Sequence, residues 1–539
     1  MINPSLEIGK GNWAIKESSL LGYRMIGDEF APIGVDVARE TAGTRVNSSG
    51  LVETVELLGS EDVVNGDFAS GTTGWSVSYS GTLNNTGNAL NIVAVGVNDT
   101  RASTPITTVI GKIYKYVADI TQVQSSRTSL AVSNNSNLDG AFVNGSDITT
   151  PENSVTVFFT ATATTTYIGF KRGGSAATGI TNIYDNVSVK ESTQNNLARV
   201  NYTGSTSSLL AEPQRTNLIP WSEDFSNWST LGTITVTPND TTSPSGDLTA
   251  EKVLGLNGTA AINQIVNGTS GIVYTNSCYI KNVNATSSTL LIRNGITAVS
   301  SLLNWSGSVL SSITNNTGVT TFTDEGNGWY RLVSTYTSLE SVQRPRVYPA
   351  SGTANTSVYL WGGQLEEGSY TTSYIPNFGT ALGVTRNQDT FTKTGISDKI
   401  NSEEGVLFVE MARQEGDTSA GLITLNDGTN SQTVSLYYFS TGTIYFDILS
   451  GSPNVSQGVS GIDTYSFNKI AIKYKSGDIA FWINGVEVYT SASAISLTGL
   501  NTLSFSQGND AYPFYGKVKQ LQVFKTALTD SELVTLTTI

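Results

Sequence analysis

The chain has 539 residues, of which 38% are hydrophobic and 14% charged, and its formal net charge at pH 7 is −14. This length exceeds what one hydrophobic core usually organises, so three or four domains are expected. The negative charge excludes sequence-independent binding to nucleic acid and electrostatic binding to an anionic membrane, because both need clustered cations. The sequence contains no histidine, which excludes histidine-dependent nucleophiles and the usual catalytic zinc sites.

Gly, Ser, Thr and Asn make up much of the remaining sequence, which favours strands and turns over helices. The one cysteine, Cys278, cannot form an intrachain disulfide. Its strand-like setting predicts a small buried hydrophobe. The first residues lack a basic region followed by an apolar one, and no stretch approaches ~18 apolar residues, so we expect neither a secretion signal nor membrane insertion.

Residues 1–55 are a low-regularity opening with Trp13, Tyr23 and Phe30 in no sustained period. Such a segment at one end of a multidomain chain is a candidate for docking onto a partner. A flexible arm fits this pattern equally well.

A first β-sandwich is predicted after this opening. It begins with the phrase Val64–Phe68, ends with Tyr184–Val189, and contains several short apolar runs separated by turns. The same plan returns downstream, where Glu223–Trp228 matches the opening and Val358–Leu365 matches the close. The sequence therefore predicts a duplicated module.

Equivalent tryptophans in the two modules, Trp75 and Trp228, follow the opening phrase in each. Equivalence within a duplication indicates a shared packing role, so both are expected in the core. We expect the same of Trp361, which lies beside apolar Leu360 in a strand.

The last part of the chain predicts a third sandwich. Its clearest hairpin joins Lys469–Lys475 to Ile479–Gly485 through a Gly-centred turn. Thr529–Glu532 has the spacing of a capping box, which predicts a short terminal helix. The predicted fold class is thus all-β: tandem antiparallel β-sandwich (jelly-roll) domains with an irregular N-terminal anchor and a short C-terminal helix.

Five phrases carry a resemblance beyond composition. Thr44–Glu53, Ala198–Tyr202 and Leu209–Leu218 resemble the signature of a widespread group of bacteriophage virion proteins, in which a short collar precedes a carbohydrate-binding-module-like jelly roll. Trp361–Gly368 and Thr372–Pro376 are similar to the closing strand and exit of that jelly roll. In this group the collar is nearly continuous.

Here the first sandwich separates the two halves of the collar, as though it had been inserted. Insertions succeed where the chain leaves and re-enters a surface at neighbouring points. We therefore expect Leu51–Glu56 to lie beside Leu197–Tyr202.

The C-terminal unit resembles the laminin-G-like or concanavalin-A-like jelly roll through Trp482–Val486, Gly516–Phe524 and Ala527–Leu533. With these resemblances the predicted domains are as follows: residues 1–55, a virion-anchoring segment and collar; 56–195, an inserted first carbohydrate-binding-module-like jelly roll; 196–215, the collar return or linker; 216–380, the second such jelly roll; 381–400, a linker; and 401–539, the laminin-G/concanavalin-A-like jelly roll.

Sugar binding needs an exposed aromatic face together with polar groups that orient the hydroxyls. Trp482, close to Asn484, is the main candidate, because its strand places large side chains on both faces of the sheet. The alternative is that both faces are covered within the sandwich. Trp329 and Tyr330 follow a turn and are further glycan-binding candidates. The alternative is that they lie in the core.

Jelly rolls of the resembled type often carry a structural calcium. The resemblance implies Asp67 and Asp185 as ligands in the first module, and Glu223 or Asp224 in the second, where Gln364 replaces the closing aspartate. Calcium takes six or more oxygens, and an amide supplies no charge, so the second site is the weaker. No other cofactor is expected.

A glycan-degrading role needs two carboxylates ~5 to ~9.5 Å apart across a cleft. The acidic pairs here are sequence neighbours, which on a strand point to opposite faces: Glu223 and Asp224, Glu366 and Glu367, and Glu403 and Glu404. The long repeat of a β-helix depolymerase is also missing. We therefore predict that the chain is not an enzyme.

The resulting hypothesis is a structural protein of a bacteriophage particle, a tail fibre or spike or a head-decoration fibre. Residues 1–55 would dock to other virion proteins, and the sandwiches would adhere to host or environmental glycans. Fibres of the resembled class are commonly trimeric, so a homotrimer is expected, located on the virion. The alternatives are a secreted bacterial adhesin and a capsular polysaccharide-degrading spike.

Overall fold

The computed structural model describes residues 3–9, 13–15, 22–26, 29–32, 35–95, 99–145, 147–173, 178–295, 297–450 and 454–539. The chain divides into two compact units. One is Glu56–Thr193, and the other combines Met1–Val55 with Gln194–Ile539. Both are built from antiparallel strands, so the predicted all-β class is confirmed.

Many strands alternate between more and less buried side chains, for example Ile113–Gln122 and Val342–Tyr348. The strands before the inserted unit are β1 (Leu6–Ile8), β2 (Trp13–Ile15), β3 (Gly22–Ile26), β4 (Glu29–Pro32), β5 (Asp36–Ala38), β6 (Thr44–Val46) and β7 (Val52–Thr54). Those of the inserted unit are β8 (Leu57–Glu61), β9 (Ser76–Tyr79), β10 (Gly81–Thr86), β11 (Ala89–Ala94), β12 (Thr100–Thr107), β13 (Ile113–Gln122), β14 (Arg127–Ser133), β15 (Val143–Asn144), β16 (Glu152–Thr160), β17 (Thr165–Gly173) and β18 (Thr181–Thr193).

The chain then returns to the larger unit. Its next strands, with a 3-10 turn at Phe225–Asn227, are β19 (Arg199–Thr203), β20 (Thr206–Ala211), β21 (Arg215–Asn217), β22 (Ser229–Leu231), β23 (Ile234–Thr241), β24 (Ala250–Gly255), β25 (Ala261–Asn263), β26 (Val266–Asn267), β27 (Val273–Asn282), β28 (Ser287–Asn294), β29 (Thr297–Ser306), β30 (Val309–Thr317), β31 (Thr320–Gly326), β32 (Trp329–Thr337), β33 (Val342–Tyr348), β34 (Thr356–Glu367), β35 (Val384–Arg386) and β36 (Thr390–Lys393). The last elements are β37 (Glu404–Arg413), β38 (Gly421–Asn426), β39 (Gln432–Ser440), β40 (Thr443–Ser450), β41 (Val455–Ser460), β42 (Asn468–Lys475), β43 (Ile479–Ile483), β44 (Val486–Ser491), β45 (Thr502–Ser504), β46 (Gly516–Phe524) and helix α1 (Asp530–Thr537).

The inserted unit is a two-sheet sandwich. One sheet has the order β10-β11-β18-β13-β16, with β8 also paired to β18, and the other has the order β15-β14-β17-β12-β9. Phe170 stacks on Tyr184 between the sheets with ring centroids 3.8 Å apart. Trp75 packs beside Phe170 in the same core, as predicted.

The second jelly roll repeats this plan with sheets β22-β25-β33-β28-β29-β30 and β23-β24-β34-β27-β32-β31. Trp228 and Cys278 are buried in its core, as predicted. Burial raises the pKa of the Cys278 thiol to about 12, so the thiol stays protonated at neutral pH. Trp361 is also buried, in a separate cluster on this module.

The terminal sandwich recruits strands from distant parts of the chain. Its first sheet, here called the helix-side sheet, has the order β19-β20-β46-β37-β42-β43-β44, with β1 paired to β46. Its second sheet, here called the platform sheet, has the order β41-β40-β39-β38-β45-β36-β5. The segments expected as anchor, collar return and linker therefore contribute β1, β5, β19, β20 and β36 to this sandwich. These strands are three to six residues long, too short to show an alternating pattern in the sequence.

The two halves of the collar contact each other in the larger unit. Arg45 donates from Nη1 to the carbonyl of Val200 at 3.0 Å, and the amide of Val46 donates to Oδ1 of Asn201 at 2.8 Å. The hairpin β6–β7 thus lies against β19, so the chain before the insertion packs against the chain after it. The two contacts are made by Arg45 and Val46, which lie just upstream of Leu51–Glu56, the segment expected to lie beside Leu197–Tyr202.

A buried ionic cluster holds the collar together. Arg199 pairs with Asp389 and with Glu212, the latter at 2.6 Å, while Arg39 pairs with Asp389 at 2.7 Å and Arg386 with Glu212 at 2.9 Å. Burial alone would raise the pKa of Glu212, but Arg386 and Arg199 outweigh it and hold that pKa well below its ordinary value. The cluster ties three sequence-distant segments to one point.

The predicted terminal hairpin and helix are confirmed. β42 pairs antiparallel with β43, with Ile470 opposite Ile483 and Lys473 opposite Ala480. Thr529 caps α1, since its side chain accepts from the amide of Glu532 while the Glu532 carboxylate accepts from the amide of Thr529 at 3.0 Å. No helix within the described residues is long and apolar enough to span a bilayer.

Candidate functional site

Trp482, the main glycan-binding candidate, lies on the helix-side sheet and is only 5% exposed. Its ring packs in a cluster with Leu528 before α1 and with Leu533 and Leu536 on that helix. The helix therefore covers this face of the sheet, which is the alternative that the alternating pattern left open. No face of the Trp482 ring is offered to a ligand.

Asn484, the second candidate on this hairpin, shapes the turn. Its backbone has φ of 51°, a left-handed conformation that asparagine tolerates better than most residues. Its Oδ1 accepts from the amide of Lys469 at 2.9 Å and its Nδ2 donates to Asn468 at 2.9 Å. The side chain is thus committed to the hairpin.

Trp329 and Tyr330 are buried as well, at 3% and 5% exposure. Trp329 packs in the Trp361 cluster and donates from Nε1 to the carbonyl of Thr242 at 3.2 Å. Tyr330 points into the sandwich core, edge-on to Trp305. The three predicted aromatic residues therefore lie in three separate buried clusters, and Asn484 lies half-buried in its hairpin turn.

The predicted calcium ligands of the second module are engaged by protein donors. Glu223 accepts from the Tyr374 hydroxyl at 2.8 Å, and burial raises its pKa to about 7. Asp224 caps the 3-10 turn, accepting from the Ser226 amide at 3.1 Å and from Asn227 at 2.7 Å. These contacts leave few free oxygens for a cation.

In the first module, Asp67 accepts from the amide of Ala69 at 3.2 Å and Asp185 from the amide of Asn186 at 2.7 Å. Throughout the described ranges, no group of three or more Asp, Glu or Cys side chains is arranged to hold a metal. Calcium needs six or more oxygens. The residues present supply only part of such a shell in either module, so structural calcium stays a prediction.

The platform sheet carries an open aromatic cluster that the sequence argument did not single out. On β39 and β40, the side chains of Leu436, Tyr438 and Phe446 enter the core. Their neighbours Tyr437, Phe439 and Tyr445 therefore point to the outer face. Phe439 is 56% exposed and Tyr445 is half-buried.

Phe439 and Tyr445 form the accessible part of the cluster, and Tyr437, which is only 8% exposed, supports them from the side. Tyr437 and Tyr445 are directly opposite in the strand register and stack with centroids 5.5 Å apart. Phe439 lies 5.1 Å from Tyr445. On the next strand, a Cβ at Gly458 would come within 2.2 Å of the Tyr445 ring, so only glycine lets that ring lie flat across β41.

A carboxylate adjoins the rings. Asp447 accepts from the Tyr437 hydroxyl at 2.7 Å through Oδ2, and it lies between Ser435 and Ser456 in the register of the neighbouring strands. Burial and the Asp447 carboxylate both raise the pKa of Tyr437, so the tyrosine is a fixed donor at neutral pH. We call Tyr437, Phe439, Tyr445 and Asp447 the aromatic platform.

The platform combines an apolar ring surface with an acceptor and flanking hydroxyls. This is the combination that sugar rings require, since their C–H faces stack on aromatic rings while their hydroxyls need oriented polar partners. A sequence signal was available: Tyr437 and Phe439 alternate with core Tyr438 in one strand, and Tyr445 follows across a short turn. The sequence favours Trp482 instead, because its strand places large side chains on both faces of the sheet.

Comparison with known proteins concerns the same sandwich. Residues 407–534 match the family model of the concanavalin A-like lectin/glucanases superfamily. No curated protein matched the sequence.

Several solved structures align with about a quarter of the chain. The CBM40 of the Ruminococcus gnavus IT-sialidase, bound to α2,3-sialyllactose, is 21% identical over 25% of this chain and 84% of its own, with a TM-score of 0.23. The NanB sialidase of Streptococcus pneumoniae (K499G mutant) is 16% identical over 27% and 26%, with a TM-score of 0.24. Domain 4 of the Geobacillus stearothermophilus arabinanase AbnA, in complex with arabinotriose, is 18% identical over 28% and 73%, also at 0.24.

TM-scores this low carry no argument about function. The family match is the stronger finding, because it spans the strands that bear all four residues of the aromatic platform. The terminal sandwich is similar to concanavalin A-like lectins.

Proposed function

We propose that this chain is a non-enzymatic, glycan-binding structural protein whose binding face is the aromatic platform of the terminal sandwich. The observation that carries the proposal is the exposed Phe439 ring beside the half-buried Tyr445 and Asp447 on the outer face of the platform sheet. The similarity of residues 407–534 to concanavalin A-like lectins supports it.

The chemistry of the platform fits binding better than catalysis. Asp447 is its one carboxylate, whereas glycoside hydrolysis in its usual form needs two across a cleft. A flat, ring-lined face also lets a polysaccharide chain lie across it without being enclosed. Affinity per site would be modest, and many copies on one particle would raise it.

The proposed setting is a bacteriophage particle, on which the chain serves as a fibre, spike or head decoration, assembled as a homotrimer. The collar resemblance supports this setting. Within residues 1–55, β1 and β5 belong to the terminal sandwich, whereas β2, β3 and β4 pair only with one another in the described backbone. This three-stranded sheet is the part of the segment left for docking to other virion proteins; its side chains lie outside the described residues.

The binding experiment uses the full chain on an array of bacterial surface glycans. The double variant with Phe439→Ala and Tyr445→Ala should lose about tenfold or more in affinity, since each stacked ring contributes roughly 0.5–1.5 kcal/mol beyond its buried area. Phe378→Ala is the matched control, because that ring is 70% exposed in the same unit but away from the platform. Equal binding by both variants, or no binding by the unsubstituted chain, contradicts the proposal.

The setting is tested separately by cryo-electron microscopy of purified particles. Density for consecutive sandwiches on the tail or capsid is the expected result, lost when residues 13–32 are deleted. Particles that lack the protein would contradict the virion setting and leave a secreted adhesin as the alternative.

A further inference from the structure

A second recess lies in the larger unit, away from the aromatic platform. It is a groove of about 630 Å³ between the β31–β32 edge of the second jelly roll and the terminal sandwich, with the collar hairpin β6–β7 also contributing to its lining. Ligand sites in proteins typically have volumes of roughly 300–1,000 Å³. The groove therefore has the size of a site for an oligosaccharide.

Hydroxyl groups line one wall. Thr321 and Thr323 on β31 and Thr335 on β32 are exposed and border the groove. The opposite wall includes Tyr202 and Thr203 at the tip of the hairpin β19–β20. Such groups both donate and accept hydrogen bonds, so they suit a ligand rich in hydroxyls.

Arg331 lies on the lining of the groove and is held there by neighbouring residues. Its Nη2 donates to the Thr371 hydroxyl at 2.9 Å and to the Thr372 carbonyl at 2.8 Å, and its guanidinium lies 5.3 Å from the centre of the Tyr279 ring. These contacts hold the half-buried guanidinium in place on the lining of the groove.

The charges that face the groove nearly cancel. Asp324, Glu325 and Glu415 are carboxylates on its lining, and Arg331 and Lys517 are cations there, which leaves an excess of one negative charge. The guanidinium of Arg45 is already neutralised by Glu53, at 2.7 Å. A strongly charged ligand would gain little net attraction here, which favours an uncharged one.

We propose that this groove is a second binding site, for an uncharged, hydroxyl-rich oligosaccharide. The proposal shares its ligand class with the proposed function but rests on different residues, so each can fail alone. Two sites on one unit let a single glycan strand or two neighbouring strands be held at once, which raises residence time without any new contact.

The competing occupant is an extended peptide. β31 is an edge strand, paired only to β32 in the described sheet, and such edges can accept an added strand. The side-chain hydroxyls that line the groove favour the oligosaccharide, because strand addition is made through the backbone.

The test fills the groove with a single large side chain. Thr321→Trp places an indole into it, and Thr235→Trp is the matched control, since Thr235 is exposed on β23 at the opposite edge of the same sheet. Equal melting temperatures establish that both variants fold. Binding of neutral oligosaccharides is then measured on an array and by calorimetry for the unsubstituted chain, both variants and the platform double variant.

Thr321→Trp should weaken at least one neutral oligosaccharide about tenfold or more, while Thr235→Trp leaves the profile unchanged. An unchanged profile in Thr321→Trp overturns the second site, whatever the platform variant does. Loss of binding to a random peptide library in Thr321→Trp, with glycan binding intact, overturns the oligosaccharide assignment in favour of a peptide. Loss only in the platform variant leaves the proposed function standing and rejects this inference.

Discussion

The two sheets of the terminal sandwich both carry aromatic residues on their outer faces, but only one of those faces is open. On the helix-side sheet, Trp482 is 5% exposed under the leucines of α1. On the platform sheet, Phe439 is 56% exposed beside Tyr445. Similar alternating sequence thus gives a second small core on one sheet and an exposed aromatic residue on the other.

Whether an outer aromatic residue is buried depends on whether a distant segment of the chain packs over it. The helix that buries Trp482 begins at Asp530, well after the strand it covers. On the platform sheet, the outer-face side chains of Thr433, Ser435 and Tyr437 are also buried, whereas Phe439 near the end of β39 is exposed. An outer aromatic is therefore informative about binding only once the rest of the chain has been placed.

The largest loss of stability is expected from a substitution in the buried ionic cluster of the collar, beside β19 and β20 of the helix-side sheet. Glu212→Gln leaves Arg199 and Arg386 buried with one counter-charge fewer. Breaking a buried ion pair in this way typically costs about 3–5 kcal/mol, measured as the free energy of unfolding in denaturant. Glu53→Gln is the control: its pair with Arg45 is 28% exposed on the carboxylate side and should cost less.

The pH dependence of that variant sharpens the test. The pKa of Glu212 lies well below its ordinary value of 4.5, so its stabilising contribution is present in full above pH 4.5 and is lost as the pH falls below it. The difference in unfolding free energy between the two chains should therefore be constant from pH 7 to about pH 5 and shrink in stronger acid. A difference that shrank instead as the pH rose would contradict the charged state of Glu212.

Trp482→Ala separates the covered face from the open one. Removing a buried tryptophan should lower the free energy of unfolding by about 3–5 kcal/mol, while glycan binding by the folded fraction stays unchanged. Tyr445→Ala should show the opposite balance, a smaller loss of stability and a clear loss of binding. Reduced affinity in folded Trp482→Ala would mean that the helix-side face takes part in binding.

Asp447→Asn tests the polar half of the platform. Hydrogen bonds to charged groups contribute roughly 1.5–3 kcal/mol, so affinity for a bound glycan should fall by about tenfold or more, with little change in melting temperature. Ser456→Ala, on the neighbouring strand opposite Asp447, is the control and should have a smaller effect. Equal affinity in the two variants would mean that only the aromatic rings of the platform contribute to binding and that Asp447 does not.

Sequence reasoning reached the sandwiches, the hairpin around Gly477 and the capping box at Thr529 because each is encoded by neighbouring residues. It could not show that β5 and β19 complete a sandwich whose other strands lie far along the chain, since a three- to five-residue strand has no readable period. It also placed glycan contacts at Trp482 and Trp329, where side chains from distant segments exclude a ligand. Local patterns are readable, whereas burial depends on long-range packing.

The smallest predicted effect concerns the cover itself. Thr529→Ala removes the hydrogen bonds that the Thr529 hydroxyl makes with the amide and the carboxylate of Glu532 but keeps the one donated by the Thr529 amide, which should destabilise α1 by about 1 kcal/mol. Hydrogen exchange at the amides of Leu533 to Thr538 should quicken, and amides of β43 under the helix should follow. Ser531→Ala, in the first turn without a capping role, is the control. If hydrogen exchange quickens in α1 but not in β43, Trp482 is kept in place by its strand neighbours rather than by the helix. The presence of α1 would then not explain why Trp482 is buried while Phe439 is exposed.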